Sequence, residues 1–503
     1  MKPTTPLVLL VITFVISLCG LGYELLAGTI TSYFLGNSIL QFSLTIGIFL
    51  FAMGLGSYLS GRIEKNVAGA FVLAQVLIAV AGGFFSLVMF SVYTFAESSF
   101  YVAFFLLLLI VGGLIGLEIP LLIRLVNEYR SLNTAVAQVL AVDYCGALAA
   151  SILFPLLLLP HLGLMKASFL YGLLNIVVAF LFMNLFRNSI QSLRPLFAAS
   201  VISVLLLFGG FFYSFRLTGF FENRMFADEI ILTRQTKYQR IVLTRNREDL
   251  RLYLDGNLQF CSLDEYRYHE VLVHPAMSAA LHREQVLILG GGDGLAAREV
   301  LKYPGVKHVT LVDLDSEIVK LCRTNTLIAG LNRGSLGDAR MEVIIEDAFT
   351  WLSRNPGLYD VIIADFPDPN NESIGKLYST QFYQMVRQHC AKGAMVSVQA
   401  TSPFFARSAF WCIVNTVRDA GFSAEPLHVN VPSFGEWGFV LASPLPVKLE
   451  RISLQVPVRY LNPAVLASLF SFPDDISPVS TEINTLDNPV LLTYYLEGWS
   501  QWE

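Results

Sequence analysis

The stretch QVLILGGGDG, residues 285–294, decides the fold of the second half of this chain. Its first five residues form an apolar run with the length and composition of a strand buried in a parallel sheet. The glycines predict a tight turn, and residues 295–303 have the pattern of a helix. A strand, a glycine turn and a helix in this order are typical of the phosphate- or nucleoside-binding start of a doubly wound α/β sheet.

Acidic residues follow the strands that come next. The first three of these strands end in Asp313, in Glu346 and Asp347, and in Asp365. Ligands of open α/β sheets bind at the carboxyl ends of the strands. We therefore expect one crevice to collect Asp293, Asp313, Asp347, Asp365 and Asp368. The predicted strands lie at 308–312, 341–345, 361–364, 394–399 and 438–442.

The charge of this crevice restricts its ligand. Clustered carboxylates raise one another's pKa and destabilise the fold unless a cation lies among them. Asp293 stands in the turn where a dinucleotide would place its pyrophosphate, and it would repel the carboxylate of S-adenosylmethionine as well. The pattern favours a positively charged nucleoside that carries no carboxylate.

Composition divides the chain into two parts. Of its 503 residues, 54% are hydrophobic and 15% are charged, against about 25% charged in ordinary soluble proteins. Up to Phe215 there are 8 basic and 6 acidic residues, and beyond it 26 basic and 33 acidic. This excludes a chain that is soluble throughout. The acidic second part has no basic patch interleaved with aromatic residues, so nucleic acid is not an expected partner.

Metal binding is not expected either. The cysteines lie far apart in the sequence, without a CxxC pair or a Cys/His cluster of zinc spacing, and we expect reduced thiols. They are Cys19, Cys145, Cys261, Cys322, Cys390 and Cys412.

The first part reads as a membrane domain. Seven apolar runs are long enough to cross a hydrocarbon layer of roughly 30 Å, and each should be helical because lipid offers backbone groups no partner. The lipid bilayer is therefore an expected partner, and the cell (inner) membrane the expected location. The runs lie at 6–26, 39–59, 68–93, 100–123, 136–159, 165–186 and 196–215.

The distribution of basic residues among the loops predicts how the helices are oriented in the membrane, but one part of this prediction is contradictory. With the N-terminus inside, only Lys166 lies in the outer loops before the last span. An odd number of spans then puts the second half outside the cytoplasm, whereas Arg216 and Arg224 just beyond the last span favour the opposite. The side that the second half faces is left open. The basic residues on the cytoplasmic side would be Lys2, Arg62, Lys65, Arg124, Arg130, Arg187 and Arg194.

Three carboxylates lie within or at the ends of apolar spans: Glu24, Glu118 and Asp143. Intramembrane carboxylates are unfavourable and point to a cation path or a ligand site. The simpler interpretation is an interfacial position or a hydrogen bond to a neighbouring helix. The sequence leaves both interpretations open.

A small antiparallel sheet is predicted before the glycine turn. Short alternating runs surround an Asp255-Gly256 turn, and a helix follows at 264–281. We interpret Asp255 as a turn residue and His274 as structural, and Glu270 as either a salt-bridge partner or a ligand. The expected domains are membrane helices at 1–215, a β subdomain with its connecting helix at 216–283, a Rossmann-like domain at 284–450 and a C-terminal tail at 451–503.

Five motifs in the second half occur together in one known family. Residues 229–445 resemble the spermidine synthase (polyamine aminopropyltransferase) family, and the apolar leader resembles its membrane-attached bacterial branch. With the leader, the resemblance covers nearly the whole chain, and the motifs in this order are highly specific. They are YQ at 238–239, LYLDGNLQ at 252–259, DEYRYHE at 264–270, GGGDG with REV at 290–300, and DFPDP at 365–369.

The resemblance implies a fold and a reaction. It implies an α/β Rossmann-like, methyltransferase-type domain with a small N-terminal β-sheet, preceded here by a multi-span helical membrane domain. The implied reaction moves the aminopropyl group of decarboxylated S-adenosylmethionine, a co-substrate, to putrescine or a related diamine. Spermidine and methylthioadenosine are the products. No metal or redox cofactor is implied, and relatives suggest a homodimer.

The same resemblance assigns the residues that act on the amine. Asp365 would be the general base, and Tyr268 would position the attacking nitrogen. Asp368 would hold the acceptor. His269 or Gln259 would contact the aminopropyl or acceptor amines.

The donor side is implied in the same way. Asp313 would bind the ribose, Asp347 with Ala348 the adenine, and Gln239 would line the pocket. Asp293 would contact the amine of the donor or of the acceptor.

Some residues depart from the family pattern. Asp313 replaces the more common Glu, which shortens the grip on ribose without changing its chemistry. Thr401 stands where an acidic residue is usual after Gln399, and Phe434 and Trp437 lie where many relatives have a tyrosine. These changes lie on the acceptor side, so the resemblance supports putrescine as the acceptor less strongly than it supports decarboxylated S-adenosylmethionine as the donor.

The sequence leaves two alternative functions open. One is a methyltransferase that uses S-adenosylmethionine, which the acid in the glycine turn disfavours. The other is a membrane transporter or sensor for polyamines or nucleosides whose second half binds without turnover.

Overall fold

The computed structural model describes residues 5–35, 38–129, 131–226 and 228–502. The chain forms two compact units, Met1–Glu229 and Ile230–Glu503. Each unit is described by itself.

Long apolar helices build the first unit. Their interiors pack aliphatic and aromatic side chains into two continuous cores. Pro120 lies inside the fifth helix, and a π-helical turn at Phe154–Leu158 joins the sixth to the seventh. The helices are α1 (Thr5–Leu35), α2 (Ser38–Ser60), α3 (Val67–Gly83), α4 (Phe85–Phe95), α5 (Phe100–Asn127), α6 (Leu132–Leu153), α7 (Leu159–Leu185) and α8 (Leu193–Met225).

Six helical segments among the described residues are long and apolar enough to cross a membrane. The segment Leu132–Leu185 has 54 residues, which would measure roughly 80 Å as one straight helix, far more than a bilayer core. Its backbone breaks at Gly163, where φ is 71°. This segment therefore has the length for two of the seven predicted spans. Helix α8 continues to Met225, beyond the predicted end at Phe215.

Glycines allow close approach between two of these helices. A side chain on Gly56 of α2 would overlap the carbonyl of Gly113 on α5, and one on Gly116 would overlap the backbone of Met53. Small residues at such crossings are the usual means of tight helix packing in membranes.

Two sheets form the framework of the second unit. The smaller has the order β1-β2-β3-β4, and its registered neighbours run antiparallel. Its strands are β1 (Glu229–Gln235), β2 (Arg240–Asn246), β3 (Asp249–Leu254) and β4 (Asn257–Cys261).

The larger sheet has seven strands in the order β10-β11-β9-β8-β5-β6-β7. The five strands from β9 to β7 run parallel, and β11 and β10 continue the sheet antiparallel. The chain passes from β5 to β6 on one side and later returns to β8 on the other, which creates a topological switch point. The strands are β5 (Gln285–Gly290), β6 (His308–Asp313), β7 (Met341–Ile345), β8 (Tyr359–Asp365), β9 (Cys390–Gln399), β10 (Ser423–Val431) and β11 (Gly435–Ser443).

Helices cover both faces of this sheet, and each face has its own apolar core. The region predicted as a tail is folded, because its helices α17 and α18 contribute Leu466 and Leu491 to the two cores. The helices are α9 (Glu265–Ala279), α10 (Leu295–Val300), α11 (Ser316–Thr324), α12 (Thr326–Leu331), α13 (Ala348–Arg354), α14 (Glu372–Gly375), α15 (Thr380–Gln388), α16 (Arg407–Asp419), α17 (Pro463–Ser468) and α18 (Val490–Trp499).

Candidate active site

The glycine turn after β5 brings three strand ends together. Gly290 is the register partner of Asp365 on β8, and a side chain there would overlap the Asp365 carbonyl. The amide of Gly292 donates to Oδ2 of Asp313 at 3.0 Å, where a Cβ would come within 2.6 Å of the same oxygen. The absence of side chains thus lets the turn lie directly against the acids that end β6 and β8.

Asp365 is held by a tyrosine from helix α9. The hydroxyl of Tyr268 donates to Oδ1 of Asp365 at 2.7 Å. Burial raises the pKa of Tyr268 well above its ordinary value, and the charge of Asp365 raises it further. The tyrosine therefore keeps its proton and acts as a donor.

A buried histidine supplies positive charge beside the acids. Burial lowers the pKa of His269, but its hydrogen bond with Glu265 overcomes that effect. Asp293 and Asp365 add to the increase, and the pKa reaches about 9. Nδ1 lies 2.8 Å from the Glu265 carbonyl oxygen and 2.9 Å from its Oε2. An imidazolium is thus the cation that the clustered carboxylates require.

An ion-pair network fixes this histidine. Arg298 donates from both terminal nitrogens to Glu265, at 2.8 Å each, and from Nε to Glu299 at 2.8 Å. Glu299 also lies 2.8 Å from Nε2 of His274, which confirms a structural position for His274. Buried pairs of this bidentate geometry position their partners firmly.

Three acids of the crevice, Asp293, Asp313 and Asp365, are half-buried and resist ionisation. Burial raises the pKa of Asp293 and of Asp365, and the charge of His269 opposes the increase at both. Burial also raises the pKa of Asp313 to about 6, against its hydrogen bonds from the amides of Asp315 and Gly292. A carboxylate with a raised pKa accepts a proton more readily near neutral pH.

Asp368 is surrounded by donors from three elements. Oδ1 accepts from Nε2 of Gln399 at 2.6 Å, and Oδ2 accepts from the hydroxyls of Thr401 and Tyr495, at 3.1 Å each. Tyr378 donates to the amide oxygen of Gln399 at 2.7 Å and so orients it. Burial raises the pKa of Asp368 to about 6, and these three donors oppose the increase.

Sequence reasoning missed two of these contributions. Tyr495 lies on α18, more than a hundred residues from the acid that it contacts, and no local pattern marks it. Gln399 was singled out only as a point of departure from the family, although it ends strand β9 beside β8.

Asp347 caps helix α13. It accepts from the amide of Thr350 at 2.9 Å and pairs with Lys376 at 2.8 Å, and the Lys376 charge helps to hold its pKa below the usual range against the effect of burial. Ala348, the first residue of the helix, is buried.

Gln239 contacts the loop after β6. Its Nε2 donates to Oδ2 of Asp315 at 3.1 Å. Asp315 in turn donates its amide to Oδ1 of Asp313. Gln239 is thereby connected to the acid predicted to bind ribose.

Gln259 and Asp255 lie in the β3–β4 hairpin, where Asp255 takes the turn position predicted for it, and Glu270 contacts a distant segment. Gln259 donates its amide to the carbonyl of Asn257 in the β3–β4 hairpin. Asp255 takes a positive φ of 48° in the turn and accepts from the amide of Arg240. Among the described residues Glu270 has no salt-bridge partner, and its carboxylate accepts from the amides of residues 459, 460 and 461, at 2.5, 2.9 and 3.0 Å.

Aromatic rings pack beside Tyr268. Phe434 lies 6.1 Å from the Tyr268 ring and 5.0 Å from Trp437, centroid to centroid. The indole Nε1 of Trp437 is buried and has no hydrogen-bond partner among the described residues. Within the part of the chain that the structure describes, no group of three or more His, Cys, Asp or Glu side chains is arranged to hold a metal ion.

A doubly wound domain with a carboxylate-lined crevice at its switch point is a ligand-binding α/β domain whose site suits positively charged molecules. Residues 265–449 match the family model "Spermine/spermidine synthase domain". The polyamine aminopropyltransferase of Leptospira interrogans is 46% identical over 491 residues, covering 97% of each chain. That of Oceanobacillus iheyensis is 43% identical and covers 97% of this chain and 96% of its own. The chain belongs to the polyamine aminopropyltransferase family and catalyses aminopropyl transfer.

Two further comparisons accompany these. The polyamine aminopropyltransferase of Mycobacterium tuberculosis is 37% identical and covers 96% of this chain and 94% of its own. A crystal structure of spermidine synthase in complex with the transition state analogue AdoDATO is 25% identical. It covers 49% of this chain and 86% of its own, with a TM-score of 0.46.

Proposed function

We propose that this enzyme transfers the aminopropyl group of decarboxylated S-adenosylmethionine to putrescine or a closely related diamine, giving spermidine and methylthioadenosine. The observation that carries the proposal is the arrangement of Asp365 and Asp368 after β8. Each carboxylate accepts from hydroxyl donors, and Asp365 lies beside the glycine turn. Two anionic groups at one crevice suit a reaction between two positively charged molecules.

The proposed chemistry begins with a proton transfer. Asp365 accepts a proton from the attacking ammonium, because its raised pKa suits a base that works near neutral pH. The free amine nitrogen forms a bond to the propyl carbon next to the sulfonium. The carbon–sulfur bond breaks, and its electron pair stays on sulfur, which leaves as a neutral thioether. Tyr268 keeps the base oriented throughout.

The donor is proposed to lie along the ends of β5, β6 and β7. Asp313 would accept from the ribose hydroxyls, and Asp347 with Ala348 would bind the adenine. Gln239 would line the pocket through its contact with the loop after β6. Asp293 would attract the donor's aminopropyl ammonium and repel the carboxylate of S-adenosylmethionine itself.

The acceptor is proposed to lie on the β8 side. Asp368 would bind the far ammonium of the diamine: it has roughly four lone-pair positions, of which three accept hydrogen bonds from described residues, and the remaining one is left for the ammonium. His269 would balance the charge of Asp293 and Asp365 rather than bind an amine, because its imidazolium is cationic. Gln259 would bind the acceptor only if its side chain gives up its hydrogen bond to the carbonyl of Asn257 and turns toward the amine.

The first unit is proposed to place the enzyme in the cell membrane as a multi-pass protein, and the family resemblance implies a homodimer. Reporter fusions after residue 226 should give one consistent side for the second unit. Light scattering of the detergent-solubilised chain should give the mass of two copies. A monomer at working concentration would remove the dimer from the proposal.

A panel of donors and acceptors tests the function. The full-length enzyme in detergent should release methylthioadenosine from decarboxylated S-adenosylmethionine with putrescine, and less with shorter or longer diamines. S-adenosylmethionine should give neither transfer product. Methyl transfer would favour the methyltransferase alternative, and tight binding without release would favour a sensor or transporter.

A further inference from the structure

A carboxylate lies deep inside the first unit. Glu118 of α5 is 2% exposed and accepts a hydrogen bond from Nε2 of Gln75 on α3. The described residues give Glu118 no basic partner. Its electrostatic neighbours are Asp143, Cys19 and Tyr23, none of which is a cation. Helix α5 therefore places an acid in an apolar bundle, where it ionises only if a cation is brought beside it.

Unpaired oxygens accompany this carboxylate. Oε1 of Gln75, Oη of Tyr171 and Oδ1 of Asn175 have no hydrogen-bond partner among the described residues. All three side chains belong to residues with 0% exposure. Leaving a buried polar atom without a hydrogen bond costs about 1–3 kcal/mol of stability. Three such oxygens together indicate that a hydrogen-bond donor from outside the chain binds here.

These groups form one connected cluster. Nδ2 of Asn175 donates to the hydroxyl of Tyr23 at 3.2 Å, and the rings of Tyr23 and Tyr171 lie 5.5 Å apart. Tyr23 and Tyr171 pack in one apolar core with Ile115, which lies one helical turn before Glu118 on α5, and a side chain on Gly20 of α1 would lie 3.3 Å from Ile115. Helices α1, α3, α5 and α7 thus each contribute polar atoms to the same interior region.

The chemistry of the cluster selects its ligand. The carboxylate and the two free amide oxygens are acceptors only, so the complementary group carries several N–H donors and a positive charge. The two tyrosine rings add the aromatic faces that attract organic cations. A primary ammonium meets each of these requirements.

We propose that Glu118, Gln75, Asn175, Tyr23 and Tyr171 form a binding site for the ammonium group of an aliphatic amine inside the helical unit. The amide nitrogen of Gln75 now donates to Glu118 where the ammonium would donate. On binding, the ammonium replaces this nitrogen, and the Gln75 amide turns so that Oε1 accepts from it. The site lies wholly in the first unit and is separate from the crevice at β5 and β8.

Equilibrium binding of radiolabelled spermidine to the full-length protein in nanodiscs tests the site. The wild type should bind one molecule more per chain than Glu118→Gln. Glu24→Gln is the matched control: Glu24 is a half-buried acid on α1 outside the cluster, and this variant should bind as the wild type does. Equal binding by Glu118→Gln and the wild type would overturn the proposal.

Spermidine bound in the catalytic crevice must be distinguished from spermidine bound in the helical unit. Asp368→Asn should lose the crevice-bound amine and keep the one that depends on Glu118. If Asp368→Asn abolishes all spermidine binding, the membrane site is refuted while the proposed reaction stands. If it changes neither the binding stoichiometry nor the KM for the diamine, the acceptor role of Asp368 fails instead.

A second measurement needs no substitution and so does not depend on how the variants fold. Dicyclohexylcarbodiimide modifies carboxyl groups in apolar surroundings, and mass spectrometry locates the label. Spermidine should slow the labelling of Glu118 in the wild-type protein and leave that of Glu24 unchanged. Labelling of Glu118 that is slowed by NaCl but not by spermidine, or by neither, would contradict an amine site.

Discussion

The hydroxyl of Tyr268 lies 2.7 Å from Oδ1 of Asp365 and so joins helix α9 to the end of strand β8, where the proposed base stands. Since the tyrosine keeps its proton, the contact has a fixed direction, from phenol to carboxylate. Oδ1 thereby accepts one hydrogen bond already, and we expect Oδ2, which lies 3.3 Å from the position of a Cβ on Gly291, to be the oxygen that meets the substrate.

Asp365→Asn should lower kcat by about 10²–10⁴, the usual contribution of a general base, because an amide cannot accept the ammonium proton. The KM for the donor should change little. Steady-state release of methylthioadenosine measures both. Asp360→Asn is the matched control: Asp360 lies near the start of the same strand and, among the described residues, accepts from the amides of residues 284 and 285. Equal losses in the two variants would deny Asp365 its role.

His269→Gln should move the acid limb of the kcat/KM profile to higher pH. The imidazolium favours the ionised form of Asp365, so its removal raises that pKa and makes the base lose activity earlier as the pH falls. A pH–rate series through the neutral range measures the limb. His308→Gln, which removes an exposed histidine paired with Glu342, should leave the limb where it is. If the acid limb does not move in His269→Gln, the charge of His269 does not influence the pKa of the base.

Tyr495→Phe should raise the KM for the diamine and leave that for the donor unchanged, because Asp368 loses one of its two hydroxyl donors. A hydrogen bond to a charged group contributes about 1.5–3 kcal/mol, or roughly 10- to 100-fold in KM. The pKa of Asp368 should rise as well. Tyr494→Phe removes a hydroxyl from the same helix that contacts the amide of Glu482. If both variants behave alike, Tyr495 is only part of the helix packing.

Glu270→Ala should loosen the C-terminal region. Three backbone amides would lose a buried carboxylate acceptor, which we expect to destabilise the second unit by on the order of 3 kcal/mol. Thermal melting and limited proteolysis after residue 450 would report it. Glu317→Ala removes an exposed partner of Arg234 and should change stability by less than about 1 kcal/mol. Unchanged proteolysis in Glu270→Ala would show that other contacts hold the segment.

The parts of the site that the sequence predicts are those marked by local pattern. The apolar run and glycines at 285–294 form β5 and its turn, and the acids at 313 and 365 end β6 and β8 as expected. Such features follow from the rule that parallel strands carry their ligands at their carboxyl ends. Strand β10 was not predicted, since its alternation is interrupted by Pro426.

Contacts between segments that lie far apart in the chain could not be predicted from the sequence. The approach of Tyr495 to Asp368 depends on how α18 packs against the sheet, and no spacing along the chain encodes it. The same holds for Arg298 with Glu265: their charges are visible in the motifs, but the bidentate pair exists only because α9 and α10 lie side by side. For Glu270 the partners are backbone amides, which every residue but proline carries, so nothing in their identity marks them.

The grip of Glu270 on residues 459–461 has a consequence for how the enzyme matures. A ribosome would deliver the apolar helices and the nucleotide crevice long before the segment that brings Tyr495 to Asp368. Until that segment folds, Asp368 lacks the hydroxyl of Tyr495, and both cores of the second unit lack the side chains of the last two helices. We therefore expect competence for turnover to arrive last, as the final helix docks, and a chain shortened before residue 459 to be inactive.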